Sequence, residues 1–168
     1  VRVPKENMIG TEGRGFLIAM KTLDAGRLGV GAATLGAAKE MLEMSSNYAK
    51  ERVQFDHPIS HFQAIQFMLA EMAVMIYNME SIVYRTAVDY DLKKDISRQS
   101  AIVKYYCSES LDKIVDFAVQ VHGGMGYSQE LPIERIYRDS RINRIFEGTN
   151  EIQKGIIARE LIKKNGKV

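Results

Sequence analysis

Several kinds of residue and segment are scarce in this chain, and each scarcity excludes something. The one cysteine, Cys107, cannot form a disulfide within the chain, and it fits a reducing compartment. Tryptophan is absent, and the three prolines, Pro4, Pro58 and Pro132, leave long segments without a helix breaker. No apolar run approaches the roughly 20 residues that a membrane helix needs. The formal net charge of +2 is too small to indicate binding to nucleic acid or to an anionic membrane.

What is present is typical of one globular domain. The 168 residues are 46% hydrophobic and 26% charged, which is enough to bury a core and argues against disorder. Residues 1–4 read VRVP without an initiating methionine, which indicates the middle of a longer polypeptide. We therefore expect an irregular lead-in over residues 1–13 and a domain over residues 14–168. A basic, glycine-containing tail over residues 163–167 suits the end of a helix.

Apolar residues recur at helical spacing along most of the chain. The second helix has the clearest stripe, because its apolar positions step by 4, 3, 4, 3 and 4. These positions are Ile65, Leu69, Met72, Ile76, Met79 and Val83. The first helix shows a similar spacing at Phe16, Met20, Leu23, Leu35, Ala38 and Leu42, and the third at Leu111, Val115, Ala118 and His122.

The predicted order of elements follows from these stripes and from the breakers between them. It is a helix over 16–52, a turn over 55–62, the second helix, a charged connector over 89–95, a third helix over 97–121, a short helix over 133–138, and a last helix capped by Thr149 or Asn150. No alternating strand pattern of useful length occurs. The predicted fold class is all-α, an up-and-down four-helix bundle with additional short C-terminal helices.

The middle of the first helix is poor in side-chain bulk. Gly26, Gly29 and Gly31 lie close together there, and each glycine costs a helix about 1 kcal/mol relative to alanine. Their presence predicts that something packs very close to this helix. Room for a ligand and helix–helix packing alone both explain it.

Several common kinds of site are excluded. A carboxylate-bridged metal centre in a bundle needs Glu-x-x-His pairs, which are absent, and Pro58 separates His57 from His61, so we predict no metal site. The glycines of the first helix loosely resemble a dinucleotide-binding fingerprint. Because they lie within a helix with no preceding strand, that mechanism is rejected.

The most informative segment is residues 144–153, which read RIFEGTNEIQ. Glu147 lies at a loop-to-helix junction just after the apolar Ile145 and Phe146. A carboxylate beside apolar groups is desolvated, which makes it a usable general base. A carboxylate at the start of a helix also complements the helix dipole. The pattern alone favours this second, structural interpretation of Glu147.

This segment resembles the signature near the C-terminus of acyl-CoA dehydrogenases, and three further segments match that family in order. Residues 52–59, RVQFDHPI, resemble its Arg-x-Gln-Phe-Gly-x-Pro-Ile turn, and residues 120–127, QVHGGMGY, resemble its Gln-x-x-Gly-Gly-x-Gly segment. Residues 3–16 resemble the linker that leaves its central β-domain. The resemblance covers essentially the whole chain but only the last part of the family's polypeptide.

The resemblance implies an FAD-dependent acyl-CoA dehydrogenase. Glu147 would remove the α-proton of an acyl-CoA thioester while hydride leaves the β-carbon for the flavin, and the backbone N–H of Glu147 would help to polarise the thioester carbonyl. The implied partners are acyl-CoA, an electron-transferring flavoprotein and further copies of the chain in a homotetramer. The implied location is the bacterial cytoplasm or the mitochondrial matrix.

The resemblance also assigns binding residues. Those that correspond to contacts of the family's substrate are Asp24, Arg27 and Gly148. Those that correspond to contacts of FAD are Arg52, Gln54, Phe55, Gln63, Gln120, Gly123, Gly124, Thr149, Asn150 and Glu151. Among them, Arg52 and Gln63 would reach the cofactor of a neighbouring subunit, where the planar fork of an arginine suits phosphate oxygens.

Two positions differ from parts of the family. Some members carry the catalytic glutamate on the first helix just before the arginine, where this chain has Gly26, so Glu147 is the sole candidate. Asp56 replaces the usual glycine of the turn, and a carboxylate beside a diphosphate would be repulsive, so Asp56 is expected to face solvent or to modify the turn. Two alternative functions are open. One is a non-catalytic helical module for oligomerisation, and the other is an acyl-CoA oxidase of the same superfamily.

Overall fold

The computed structural model describes residues 1–163 and 166 and is almost entirely helical. Six α-helices and two short strands follow one another in these residues. They are α1 (Gly15–Glu51), β1 (Val53–Gln54), β2 (His57–Pro58), α2 (Gln63–Asp91), α3 (Ser97–His122), α4 (Gly124–Tyr127), α5 (Ile133–Ser140) and α6 (Asn150–Lys163). Three 3₁₀ turns, Lys5–Asn7, Ile59–His61 and Arg141–Arg144, lie between them. Residues 164, 165, 167 and 168 of the predicted domain and tail lie outside the described residues.

The helices agree closely with the predicted order, and the differences have local causes. The predicted connector over 89–95 is too long, because α2 continues to Asp91 and the chain turns only at Lys93, whose φ is 58°. The glycine-rich stop after α3 contains a short helix, α4, that was not predicted. None of the helices among the described residues is long and apolar enough to cross a membrane.

The predicted turn after α1 is a small β-hairpin. Its two strands pair Val53 with Pro58 and Gln54 with His57, and Phe55 and Asp56 form the tip with φ values of 54° and 64°. Two consecutive residues at positive φ define the hairpin turn that matches the right-handed twist of the strands. Aspartate is one of the few residues that tolerate this conformation, so Asp56 can replace glycine while the turn is retained. The side chain of Asp56 is exposed, which matches the expectation that it faces solvent rather than the alternative that it modifies the turn.

The core lies where α3 packs against α1, α2, α5 and α6. The predicted stripes are confirmed at most positions. Leu35 and Ala38 are buried on α1, Ile65 and Leu69 on α2 are half-buried, and the remaining stripe residues of α2 and α3 are buried. The prediction that Phe16 belongs to the buried stripe is wrong, because Phe16 lies at the first turn of α1 with 74% of its surface exposed. The short connections place α1, α2 and α3 as neighbouring bundle helices, and α6 packs against α3, which agrees with the predicted helical bundle.

Of the three glycines in the middle of α1, Gly26, Gly29 and Gly31, two have close neighbours. Val103 of α3 occupies the space that a Cβ at Gly31 would need, and the carboxylate of Glu147 occupies it at Gly26. Apart from the helix's own backbone, no described residue has an atom within 4 Å of the Cβ position at Gly29. Helix packing therefore explains Gly31, and the approach of the Glu147 loop explains Gly26.

Candidate active site

The loop between the 3₁₀ turn Arg141–Arg144 and α6 presents Glu147 to the side of α1. Glu147 and Gly148 both adopt positive φ, 56° and 89°. This conformation costs a non-glycine residue about 1–2 kcal/mol. The loop ends where the hydroxyl of Thr149 accepts a hydrogen bond from the N–H of Ile152 at 3.4 Å, so of the two predicted caps, Thr149 and Asn150, it is Thr149 that caps α6.

The carboxylate of Glu147 lies directly over Gly26. A Cβ at position 26 would be 2.9 Å from Oε2 and 3.1 Å from Oε1, so no side chain fits there while the carboxylate holds this position. Oε2 is buried and has no hydrogen-bond partner among the described residues. The two apolar residues before Glu147 are themselves about half exposed, Ile145 at 49% and Phe146 at 42%.

Two buried side chains hold the main chain at Glu147. Arg27 donates from Nε to the Glu147 carbonyl at 3.3 Å. Gln153 donates from Nε2 to the same carbonyl at 3.2 Å and to the Gly148 carbonyl at 3.0 Å. Arg27 is 4% exposed and Gln153 is 0% exposed, so both donors act away from water. These bonds stabilise the positive-φ conformation from α1 on one side and from α6 on the other.

Asp24 and Arg27, the residues predicted to contact substrate, are engaged within the protein. Asp24 Oδ1 accepts from Arg27 Nη1 at 3.0 Å and from the Ser100 hydroxyl at 3.4 Å, and Oδ2 accepts from the Ser97 hydroxyl at 2.9 Å. The carboxylate therefore orients Arg27 toward the Glu147 carbonyl. Their contact with substrate stays a prediction.

Asn150 lies beneath the same loop and is 1% exposed. Its Oδ1 accepts from Lys104 Nζ at 2.8 Å, and its Nδ2 donates to Glu109 at 2.7 Å and to Ser108 at 3.0 Å. A cofactor contact by Asn150 would therefore involve its main chain. Lys104 is fully buried, and burial followed by the nearby charge of Arg27 lowers the pKa of Lys104 to about 8.

Glu151 is exposed at the first turn of α6. The pKa of Glu151 is lowered, first by a hydrogen bond from its own backbone N–H and also by a hydrogen bond with Thr149 and by the charges of Lys154 and Arg144. It is therefore an anion at the helix N-terminus, where the dipole favours negative charge.

The other predicted FAD contacts lie at the far end of α1, around a groove with a volume of about 650 Å³. Its lining includes Arg52, Gln54, Phe55, Gln120, Gly123 and Gly124, and Gln63 is adjacent at the start of α2. Among the described residues, no atom beyond the neighbouring backbone lies within 4 Å of the Cβ positions of Gly123 and Gly124, so a ligand can approach the backbone there. His122 forms part of the lining, stacks on Tyr48 with ring centroids 4.3 Å apart, and has a pKa lowered by burial.

The two groups of predicted residues are far apart within one chain. Arg27 and Arg52 are separated by 25 positions of one continuous helix, which corresponds to roughly 37 Å at about 1.5 Å per residue. One dinucleotide does not bridge this distance. The structure thus brings Glu147, Gly148, Asp24 and Arg27 together at one site. The predicted contacts around Arg52 lie at a second site, the groove at the far end of α1.

The sequence predictions missed four polar residues that support the loop. These are Lys104, Ser108, Glu109 and Gln153. A signal for the first two was present, because the stripe Leu111, Val115, Ala118 and His122 on α3 extends backwards by the same steps to Ser108 and Lys104. A lysine at a core position predicts a buried polar partner.

The chain is thus an α-helical domain with two features. One is a partly buried carboxylate on a loop fixed by hydrogen bonds, and the other is an open groove of the size of a ligand. The family described as "Acyl-CoA dehydrogenase, C-terminal domain" matches residues 13–162, and the chain belongs to this family. A curated relative, subunit CarC of the caffeyl-CoA reductase-Etf complex of Acetobacterium woodii, is 46% identical over 98% of this chain and 43% of its own length. The chain therefore spans less than half the length of this relative.

Solved structures agree with this assignment. Butyryl-CoA dehydrogenase from Megasphaera elsdenii has a TM-score of 0.94 and 44% identity, over 95% of this chain and 42% of its own. An acyl-CoA dehydrogenase of Bacillus anthracis complexed with FAD has a TM-score of 0.90 and 42% identity, over 97% of this chain and 31% of its own.

Proposed function

We propose that this chain supplies the catalytic base of an FAD-dependent acyl-CoA dehydrogenase, with Glu147 as that base. The Glu147 carboxylate takes the α-proton of the acyl-CoA thioester as the α C–H bond breaks, and a hydride leaves the β-carbon to give the 2,3-enoyl-CoA. FAD, when bound, supplies the acceptor for that hydride. Membership in the acyl-CoA dehydrogenase family supports this proposal.

The Oε2 of Glu147, buried and without a hydrogen-bond partner among the described residues, is the observation that carries the proposal. A carboxylate that served only to begin α6 would be bound by the N–H groups of the first helical turn. Here Thr149 accepts the bond from Ile152, and the Glu147 side chain lies instead against Gly26 of α1. Its oxygen is thereby left free to accept a proton, while Arg27 and Gln153 fix the main chain from which it extends.

The groove at the end of α1 fits one part of FAD. Arg52 brings a positive charge, the glycines after α3 allow close approach, and aromatic rings line the wall. Because this groove lies roughly 37 Å from Arg27 along α1, its FAD would serve the Glu147 of a neighbouring subunit. A homotetramer is consistent with this arrangement. α2 carries an exposed apolar stripe that would suit subunit packing, Phe67, Val74, Tyr77, Tyr84 and Val88.

The central test is the Glu147→Gln variant of the full-length enzyme. Gln keeps the size of the side chain but cannot take the proton, so addition of acyl-CoA should no longer bleach the flavin while FAD remains bound. Glu43→Gln, an exposed residue elsewhere on α1, is the matched control and should bleach like the wild type. Unaltered bleaching in Glu147→Gln would show that the base is elsewhere.

The direction of the reaction and the electron partner need separate tests. A curated relative belongs to a caffeyl-CoA reductase-Etf complex, so we expect an electron-transferring flavoprotein as partner. Anaerobic reduction by a panel of acyl-CoAs, followed by comparison of reoxidation by air and by that flavoprotein, distinguishes a dehydrogenase from an oxidase. Reduction of the corresponding enoyl-CoAs measures the reverse direction.

A purely structural role in oligomerisation is the alternative from another class. The free carboxylate oxygen of Glu147 and the open groove favour an active site over this alternative. Because the chain covers 43% of a curated relative, we expect the 168-residue piece alone to retain FAD weakly and to show little or no activity. Robust turnover by the piece would contradict this expectation.

A further inference from the structure

Glu109 of α3 connects the two ends of the loop that carries Glu147. Its Oε1 accepts a hydrogen bond from Arg144 Nε at 3.0 Å, just before the loop, and one from Asn150 Nδ2 at 2.7 Å, just after it. One oxygen atom thus receives donors from both sides of residues 145–149. We refer to Arg144, Glu109 and Asn150 as the clasp.

Each end of the clasp has additional support from α3. Arg144 also donates from Nη1 to Asp112 at 2.8 Å, and Asn150 is held by Lys104 and Ser108. The side chains of Glu109 and Arg144 are 29% and 34% exposed, so these two members of the clasp lie at the edge of the bundle, whereas Asn150 is buried. Variants of Glu109 and Arg144 therefore change partly exposed side chains rather than residues of the hydrophobic core.

The loop depends on polar contacts for its support, because its apolar residues are poorly packed. Glu147 and Gly148 are both in the left-handed region, and Ile145 and Phe146 are about half exposed. Apolar packing is thus weak just where the backbone is strained. Arg27 and Gln153 bind the carbonyls at its centre, and the clasp keeps its two ends at a fixed separation.

We propose that Glu109 is a positioning residue that holds the Glu147 loop in its reactive conformation. It does so through one carboxylate oxygen that accepts from both ends of the loop. This inference rests on the proposed function of Glu147, since Glu109 acts only through the loop. The expected consequence is a loss of reactive alignment rather than a loss of substrate binding. A displacement of about 1 Å at a reacting group can lower a rate about 100-fold.

The experiment compares Glu109→Ala, Glu109→Gln and Asp112→Ala in the full-length flavoenzyme. Glu109→Ala should lower kcat about 100-fold, with KM within about threefold, and should speed amide hydrogen exchange across residues 145–149. A neutral amide oxygen still has two lone pairs for both donors, so Glu109→Gln should recover most of the rate and the exchange protection. Asp112→Ala removes an acid that pairs with Arg144 but has no bond to Asn150 among the described residues, and should change kcat much less.

Three outcomes would overturn the proposal. They are a Glu109→Ala enzyme with wild-type kcat and exchange, equal losses in Glu109→Ala and Asp112→Ala, and a Glu109→Gln enzyme as impaired as Glu109→Ala. If Glu109→Ala does not fold, Arg144→Met breaks the same clasp from its exposed end. Unchanged amide hydrogen exchange across residues 145–149 in that variant would also overturn the proposal. Failure of the wild type to bleach with any acyl-CoA would refute the proposed function instead, while loop exchange would still test the clasp.

Discussion

The loop at Glu147 and the groove at Arg52 differ in how their polar groups are satisfied. Around Glu147, buried donors from α1, α3 and α6 meet acceptors within the same chain. Around Arg52, the hairpin and the start of α4 present exposed side chains and glycine backbone to open space. The first region is organised before any ligand arrives, whereas the second has polar groups available for a ligand.

This difference indicates which region depends on the rest of the enzyme. Preorganised groups are costly to remove because their buried partners are then left unsatisfied. Removing an exposed group costs little folding stability, so its removal is expected to weaken ligand binding rather than to destabilise the fold. The following predictions use this contrast, in order of decreasing effect.

The largest expected effect separates the two arginines of α1. Arg27→Met would leave Asp24 as a mostly buried carboxylate without its cation and would remove a bond to the Glu147 carbonyl, so we expect a loss of about 3–5 kcal/mol in the free energy of unfolding. Arg52→Ala should change it by less than about 0.5 kcal/mol but lower the FAD content of the full-length enzyme. Urea denaturation and flavin absorbance measure the two effects.

Similar destabilisation by both arginine variants would show that the groove is as tightly organised as the loop region. A wild-type FAD content in Arg52→Ala would show that Arg52 does not contribute to FAD binding. The contrast therefore depends on two independent measurements.

A smaller effect is expected from two glycines on different faces of α1. Gly31→Ala places a methyl group where Val103 packs, so we expect a net loss of about 1–2 kcal/mol, since overpacking costs about 1–3 kcal/mol. Gly29→Ala meets no other part of the described chain within 4 Å beyond its own helix backbone, and should raise stability by up to about 1 kcal/mol through helix propensity. Equal effects of the two changes in urea denaturation would contradict the assigned packing.

The fold was largely predictable from the sequence because the chain is long in helix and poor in breakers. Stripes with regular spacing predicted α2 and α3, and few prolines meant that few boundaries were ambiguous. The hairpin after α1 was predicted only as a turn. Its strands have two residues each, too few for an alternating pattern to be detected.

The candidate site was predictable only in part. The segment around Glu147 could be identified because its residues are contiguous and resemble a family signature. Glu109 could not, because it lies on another helix and pairs with Arg144, 35 positions away in sequence. The α3 stripe pointed to Lys104 as a core position, but not to its partner Asn150, 46 positions away. Their partners depend on how α3 and α6 pack, which periodicity does not specify. Asp24 illustrates the converse, since its position was predicted but its internal bonds with Ser97 and Ser100 were not.

The smallest expected effect concerns the buried amine of Lys104. Its pKa is about 8 in the folded chain, against an ordinary value of 10.5. Between these values the unfolded chain keeps a proton that the folded chain has lost, so this lysine makes the free energy of unfolding rise with pH. Below pH 8 the cost of burying the charge is fully present. Relative to Lys104→Met, the wild type should gain about 1 kcal/mol between pH 8 and pH 9.

The comparison with Lys104→Met cancels the titration of the other groups, which both proteins share. Lys113→Met, an exposed position on the same helix, should show no such gain and serves as the control. A constant difference between wild type and Lys104→Met from pH 7 to pH 10 would mean that water reaches this amine. The loop region would then be less completely organised than its hydrogen bonds indicate, and its contrast with the open groove would be one of degree.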